Sequence, residues 1–206
     1  MCPKTSSCLA LGALILFGGT KILASELSNP GLTILALNYA GIDDQTLRAA
    51  EGEADRVFRH AGVQVGWQHC YSAAKRSETE CPDVAASTPA LRLVPRFQLV
   101  SGIRPDMMGY STGNMMTVSL EEVENAARLG VVPISEVLGL VIAHELGHLL
   151  LGTAHSISGI MRARWGLDDW ALAQQRQLVF LPRQAAALRR ELRARSETSV
   201  VARNSR

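Results

Sequence analysis

The sequence predicts a single α+β (or α/β) domain: a twisted, mixed four-stranded sheet, one backing helix, one central helix and a small helical C-terminal subdomain. Three observations carry that expectation. An apolar segment, an amphipathic helix and a second apolar segment follow one another between Leu32 and Trp67. A second helix, opened by Pro133, is apolar on nearly every side. The chain has 206 residues, 47% of them apolar and 19% charged, enough for one full core and too few for two comfortable ones.

The first 24 residues stand apart. Lys4 precedes a short apolar run from Cys8 to Gly19, and small residues lead to Ala24-Ser25. This is the layout of a secretory signal peptide, too short for a comfortable membrane span. Lys21 is awkward for efficient export, so an uncleaved N-terminal anchor is the alternative. Removing residues 1–24 takes away Lys4 and Lys21 and no acid, which lowers the formal charge from +2 to 0. A neutral mature chain has no net attraction to nucleic acid or anionic membrane. Cys70 and Cys81 then remain, and an even pair in an exported chain reads as one disulfide, worth on the order of 3 kcal/mol.

The elements follow in order. Leu32 to Ile42 is apolar and partly alternating, and reads as a buried strand closed by Gly41 and Asp43-Asp44. Asp44 caps a helix whose apolar positions Leu47, Ala50, Ala54, Val57, Phe58 and Ala61 keep helical spacing. Gly62 ends it, and Val63–Trp67 resumes as a strand parallel to the first. Residues 71–90 read as a surface loop, and Leu91–Val100 as a third strand in which Pro95 marks a bulge or an edge. Met107–Asn114 reads as a loop, Met115–Ser119 as the fourth strand, and Glu121–Leu129 as a weak helix or an irregular connection. Pro133 opens the central helix with Glu136 in its first turn. Asp168 or Asp169 begins a last helix, broken at Pro182 and running to about Arg195, with a frayed tail from about 196.

The central helix carries His144-Glu145-Leu146-Gly147-His148, and His155 follows shortly after Gly152. Two histidines four apart stand on one helix face and can reach one metal ion. Three protein ligands with an open fourth position define a catalytic zinc site rather than a structural one. Neutral imidazoles of His144, His148 and His155 would hold Zn²⁺ at about 2.0–2.1 Å, with water in the fourth position. Glu145 would take that water's proton as general base and deliver it to the leaving group. The bland alternative is an apolar core helix that happens to carry histidines, but burying two imidazoles and a carboxylate without partners is costly.

The string HELGHLLLGTAHS followed by GIM resembles the metzincin clan of zinc peptidases, whose pattern is HExxHxxGxxH with a later methionine turn. The resemblance implies a zincin-like domain over 25–206, with its C-terminal subdomain from about 153. It implies His144, His148 and His155 as ligands, Glu145 as base, Gly152 as the turn and Met161 as the Met-turn residue, an apolar floor and not a ligand. It further implies that Met115–Ser119 is the edge strand on which an extended substrate pairs, with Met107, Met108 and Tyr110 at the cleft rim. The motif departs from the clan's: Gly and the third His lie four and seven residues after His148, each one later. An extra helical residue turns the chain by about 100°, so Asp168, Asp169 or Glu191 stand as alternative third ligands.

The function expected is hydrolysis of peptide bonds in protein or peptide substrates by an exported, secreted or periplasmic zinc metallopeptidase. A non-catalytic exported zinc-binding module on the same scaffold is the rival. Glu145 argues against it, because a purely structural site needs no base. A metal-dependent nuclease is disfavoured by the neutral mature charge.

Overall fold

In the computed structural model, residues 29–72, 77–78, 88–98 and 106–204 are described. Residues 1–24 and Cys81 lie outside them, so the leader and the Cys70–Cys81 bridge stay expectations; Cys70 itself is buried.

Strand β1 (Gly31–Asn38) leads into α1 (Asp44–His60), and β2 (Gln64–Ser72) returns parallel to β1. Asn38 shapes the turn between them: its Nδ2 donates to the Ile42 carbonyl at 2.7 Å, and its Oδ1 accepts from the Ile42 N–H. The helix cap is Asp43, one residue before the expected Asp44. Its carboxylate accepts from the N–H groups of Gln45 and Thr46, satisfying donors that a helix start leaves open.

The remaining strands are β3 (Ser77–Glu78), β4 (Ala90–Val94), β5 (Gly109–Thr112) and β6 (Met115–Ser119). Among the described residues the strands form one six-stranded sheet in the order β3-β2-β1-β4-β6-β5. The expected four strands are the parallel centre of this sheet; β3 and β5 are antiparallel additions at its two edges. Three expectations are corrected here. The loop expected at Met107–Asn114 contains β5, turned back onto β6 by Gly113-Asn114. Met115–Ser119 therefore lies between β4 and β5 and is not the edge. The third strand stops at Val94, because Pro95 has no N–H to continue a ladder.

Helices α2 (Leu120–Gly130), α3 (Ile134–Leu151), α4 (Leu167–Gln174) and α5 (Pro182–Asn204) complete the chain. Among the described residues, α3 alone is long and apolar enough to cross a membrane, but it is buried inside the protein. One core surrounds it. Phe58 and Val57 of α1, Ile34, Leu91 and Met116 of the sheet, and Leu138, Ile142 and Leu146 of α3 are all buried in it. Each such side chain contributes about 1.5–3 kcal/mol through removal from water. The C-terminal segment joins the same core through Ile160, Met161, Leu178, Phe180, Leu188 and Leu192. Phe180 packs on Phe58 with ring centroids 5.1 Å apart. Arg189 of α5 donates to the Ala61 carbonyl at the end of α1, and Arg195 donates to Leu149 near the end of α3. Helix α5 continues to Asn204, past the expected end near Arg195.

Candidate metal centre

Helix α3 brings His144 and His148 onto one face, and the chain leaving it returns His155 to them. The helix ends at Gly152, whose φ of +88° and ψ of −177° are open to glycine and strained for other residues. The Nε2 atoms of His144 and His148 lie 3.0 Å apart, and those of His148 and His155 lie 3.2 Å apart. Nitrogens held at about 2.0–2.1 Å from a common tetrahedral ion stand roughly 3.3 Å from one another, close to this spacing.

The outer ring nitrogens decide what the inner ones can do. His144 Nδ1 donates to the Ile160 carbonyl at 2.7 Å, and His148 Nδ1 to the Gly152 carbonyl at 3.0 Å. A carbonyl only accepts, so both Nδ1 atoms carry protons and, in the neutral rings, both Nε2 atoms are bare lone pairs. Two bare lone pairs 3.0 Å apart repel unless a proton or a metal cation sits between them. Burial holds His144 down to about 4, with the neighbouring histidines adding to the effect, so its ring is neutral at ordinary pH. The donor set therefore fits a divalent ion that prefers imidazole, and zinc suits it.

The surroundings hold these rings. The Ile160 carbonyl also accepts from Trp165 Nε1 at 3.2 Å, and Trp165 stands edge-on to the His144 ring with centroids 5.8 Å apart. Met161 is fully buried beneath α3. A Cβ at Gly147 would stand 2.5 Å from Met161 Sδ and 3.0 Å from Phe180, so the glycine between the two histidines is what lets this floor approach. Asp169 is occupied elsewhere, accepting from Arg162 at 2.7 Å and from the Gly166 N–H at 2.8 Å. Asp168 is exposed at the start of α4, and Glu191 pairs with Arg195 on α5. Among the described residues, His144, His148 and His155 form the one group whose ligand atoms come together.

Glu145 is buried beside this cluster, and burial pushes its carboxyl up to about 7 against the opposing hydrogen bond from Ser111. Ser111 Oγ lies 2.7 Å from Glu145 Oε2 and 2.9 Å from the Glu145 carbonyl. With one proton and two acceptors in reach, this hydroxyl serves either form of the carboxyl. Ser111, Gly109 and Trp165 were not singled out by the sequence. The dipeptide Gly113-Asn114, a two-residue hairpin signal, was the available clue to β5.

A cleft of about 560 Å³ opens over the cluster, within the usual range for ligand sites. Met107, Met108 and Tyr110 line it, as expected, together with Val141, Trp165 and Trp170. Arg162 and Arg164 at its border are answered by Asp169 and Asp106.

The sheet, the backing helix α1 and the central helix α3 make a zincin-like fold. A crystal structure of archaemetzincin from Methanopyrus kandleri is similar to this chain over 83% of its length and 99% of that protein's, with a TM-score of 0.51 and 19% sequence identity. At that identity the likeness is one of fold. The sequence matches no protein-family model, and no curated protein matches it.

Proposed function

We propose that this chain is a zinc metallopeptidase in which His144, His148 and His155 hold the ion and Glu145 is the general base. The observation that carries the reading is the pair of bare Nε2 atoms, set by the Ile160 and Gly152 carbonyls, converging with His155 beside a buried carboxyl. Zinc held by His144, His148 and His155 would supply Lewis-acid chemistry, lowering the pKa of water toward about 7. Glu145 takes the proton on its carboxylate and returns it to the leaving amine. A carboxyl near neutrality can do both, and a cation beside it draws it toward the ionised form.

Substrate pairing falls to β5. Ser119 N–H donates to the Met108 carbonyl, which makes Met108 and Ser119 a hydrogen-bonded pair. By antiparallel alternation Tyr110 and Thr112 also face β6, so the main-chain groups of Gly109 and Ser111 face outward from the edge. An extended peptide pairs there by strand addition. The fold's likeness to archaemetzincin supports the zinc metallopeptidase reading.

The test is to incubate zinc-loaded protein with an unstructured protein and identify new peptide ends by mass spectrometry. Cleavage abolished by a chelator and restored by zinc supports the proposal; intact substrate across a broad panel of sequences defeats it. Export belongs to the proposal on the strength of residues 1–24 alone. N-terminal sequencing of the exported protein should begin at Ser25, and an intact Met1 on cytosolic protein would contradict it.

A further inference from the structure

The two residues of β5 whose main chain faces away from β6, at the edge of the sheet among the described residues, are also the two that clasp Glu145. Gly109 and Ser111 are two apart on the strand, so both present the same side toward α3. Ser111 Oγ reaches Glu145 Oε2 at 2.7 Å. On the other side, a Cβ at Gly109 would stand 2.8 Å from both Cγ and Oε1 of Glu145. The missing side chain thus leaves the space in which the carboxyl lies, and the hydroxyl fixes its orientation there. Its second acceptor, the Glu145 carbonyl at 2.9 Å, ties the same hydroxyl to the helix backbone. This contact joins an edge strand to the central helix across 34 residues of sequence.

Resting on the peptidase reading above, we infer that Ser111 and Gly109 are positioning residues that couple substrate pairing to the aim of the base. A peptide that adds to β5 draws its register from the main chain of Gly109 and Ser111. Those same residues hold Glu145 in place, so a correctly paired substrate meets a carboxyl already oriented toward its scissile bond. Ser111 acts through Glu145 and touches the substrate by its backbone only. Removing its hydroxyl leaves the pairing groups intact and frees the carboxyl to rotate.

The experiment compares wild type, Ser111→Ala, Gly109→Ala and Glu145→Gln, each loaded with one metal ion. In Ser111→Ala, kcat should fall about 10- to 100-fold with KM and zinc affinity within about twofold of wild type, because misplacing a base costs rate and not binding. Binding of a peptide whose scissile amide is replaced by a reduced CH2–NH bond should likewise stay within about twofold. The visible absorption of cobalt-substituted protein responds to side chains facing the metal's open position. It should shift in Ser111→Ala and in Gly109→Ala in the direction seen for Glu145→Gln. An unchanged kcat and an unchanged cobalt spectrum in Ser111→Ala overturn the inference. So does a rise in KM and in peptide Kd that accounts for the whole loss, since that assigns the hydroxyl to substrate binding. Absence of turnover in the wild type would defeat the peptidase reading and leave the cobalt spectra to decide the role of Ser111.

Discussion

At the scale of single residues, the chemistry depends on where protons are forced to sit. The Ile160 and Gly152 carbonyls fix the tautomers of His144 and His148, while His155 comes from a loop and is the exposed member of the cluster. Its replacement tests the shifted spacing of the motif most sharply. His155→Ala should weaken zinc binding by at least about 100-fold in a chelator-competition titration, as loss of one of three ligands demands; an unchanged affinity would place the third ligand elsewhere. A second buried carboxyl makes a prediction about stability. Glu51 of α1 is 5% exposed, no hydrogen bond reaches its Oε1, and His69 of β2 approaches it at 3.4 Å. Burial pushes it up to about 7, against the field of Arg48. The folded chain thus holds this proton more tightly than the unfolded chain does. Its contribution is fully present below about pH 4.5 and is lost as pH rises through about 7. Glu51→Gln should therefore stabilise the protein at pH 8 by up to roughly 3 kcal/mol and change little at pH 4.5. Urea midpoints at the two pH values measure it.

At the scale of elements, α3 was legible because its chemistry and its period coincide. A helix apolar on all sides must be buried, and a His-Glu-Leu-Gly-His face on it must look into a cleft or be satisfied inside. The β1–α1–β2 unit was legible for the same reason, down to a cap displaced by one residue from Asp44 to Asp43. What failed was short or non-local. Strand β5 has four residues, too few for alternation to separate it from a loop, and misplacing it moved the edge of the sheet onto Met115–Ser119. The contacts of Ser111 with Glu145 and of Trp165 with His144 join distant parts of the chain, and no local pattern announces them. The packing of α3 on the Met161 floor gives a prediction at this scale. Gly147→Ala drives a methyl group into Met161 Sδ and Phe180, and should cost about 1–3 kcal/mol in urea unfolding. Zinc affinity should fall with it, because the carbonyl that holds His144 belongs to Ile160, the neighbour of Met161.

At the scale of the whole molecule, the histidine cluster joins the central helix to the segment that leaves it. His144 and His148 belong to α3, whereas His155 lies on the chain that goes on to place Met161, Phe180 and α5 in the common core. An ion binding all three stabilises the folded chain by mass action, by about 2.7 kcal/mol when free zinc is 100 times its Kd. Chelation should accordingly lower the calorimetric Tm by about 5–10 °C for a domain of this size, reversibly on adding zinc back. Zinc content and peptide hydrolysis, measured side by side on wild type and Glu145→Gln, separate metal binding from the role of the base. Near one zinc per chain is expected in both, with hydrolysis reduced at least about 100-fold in the variant. Wild-type protein that binds no zinc, or a Glu145→Gln variant that cleaves at the wild-type rate, would contradict the proposed function.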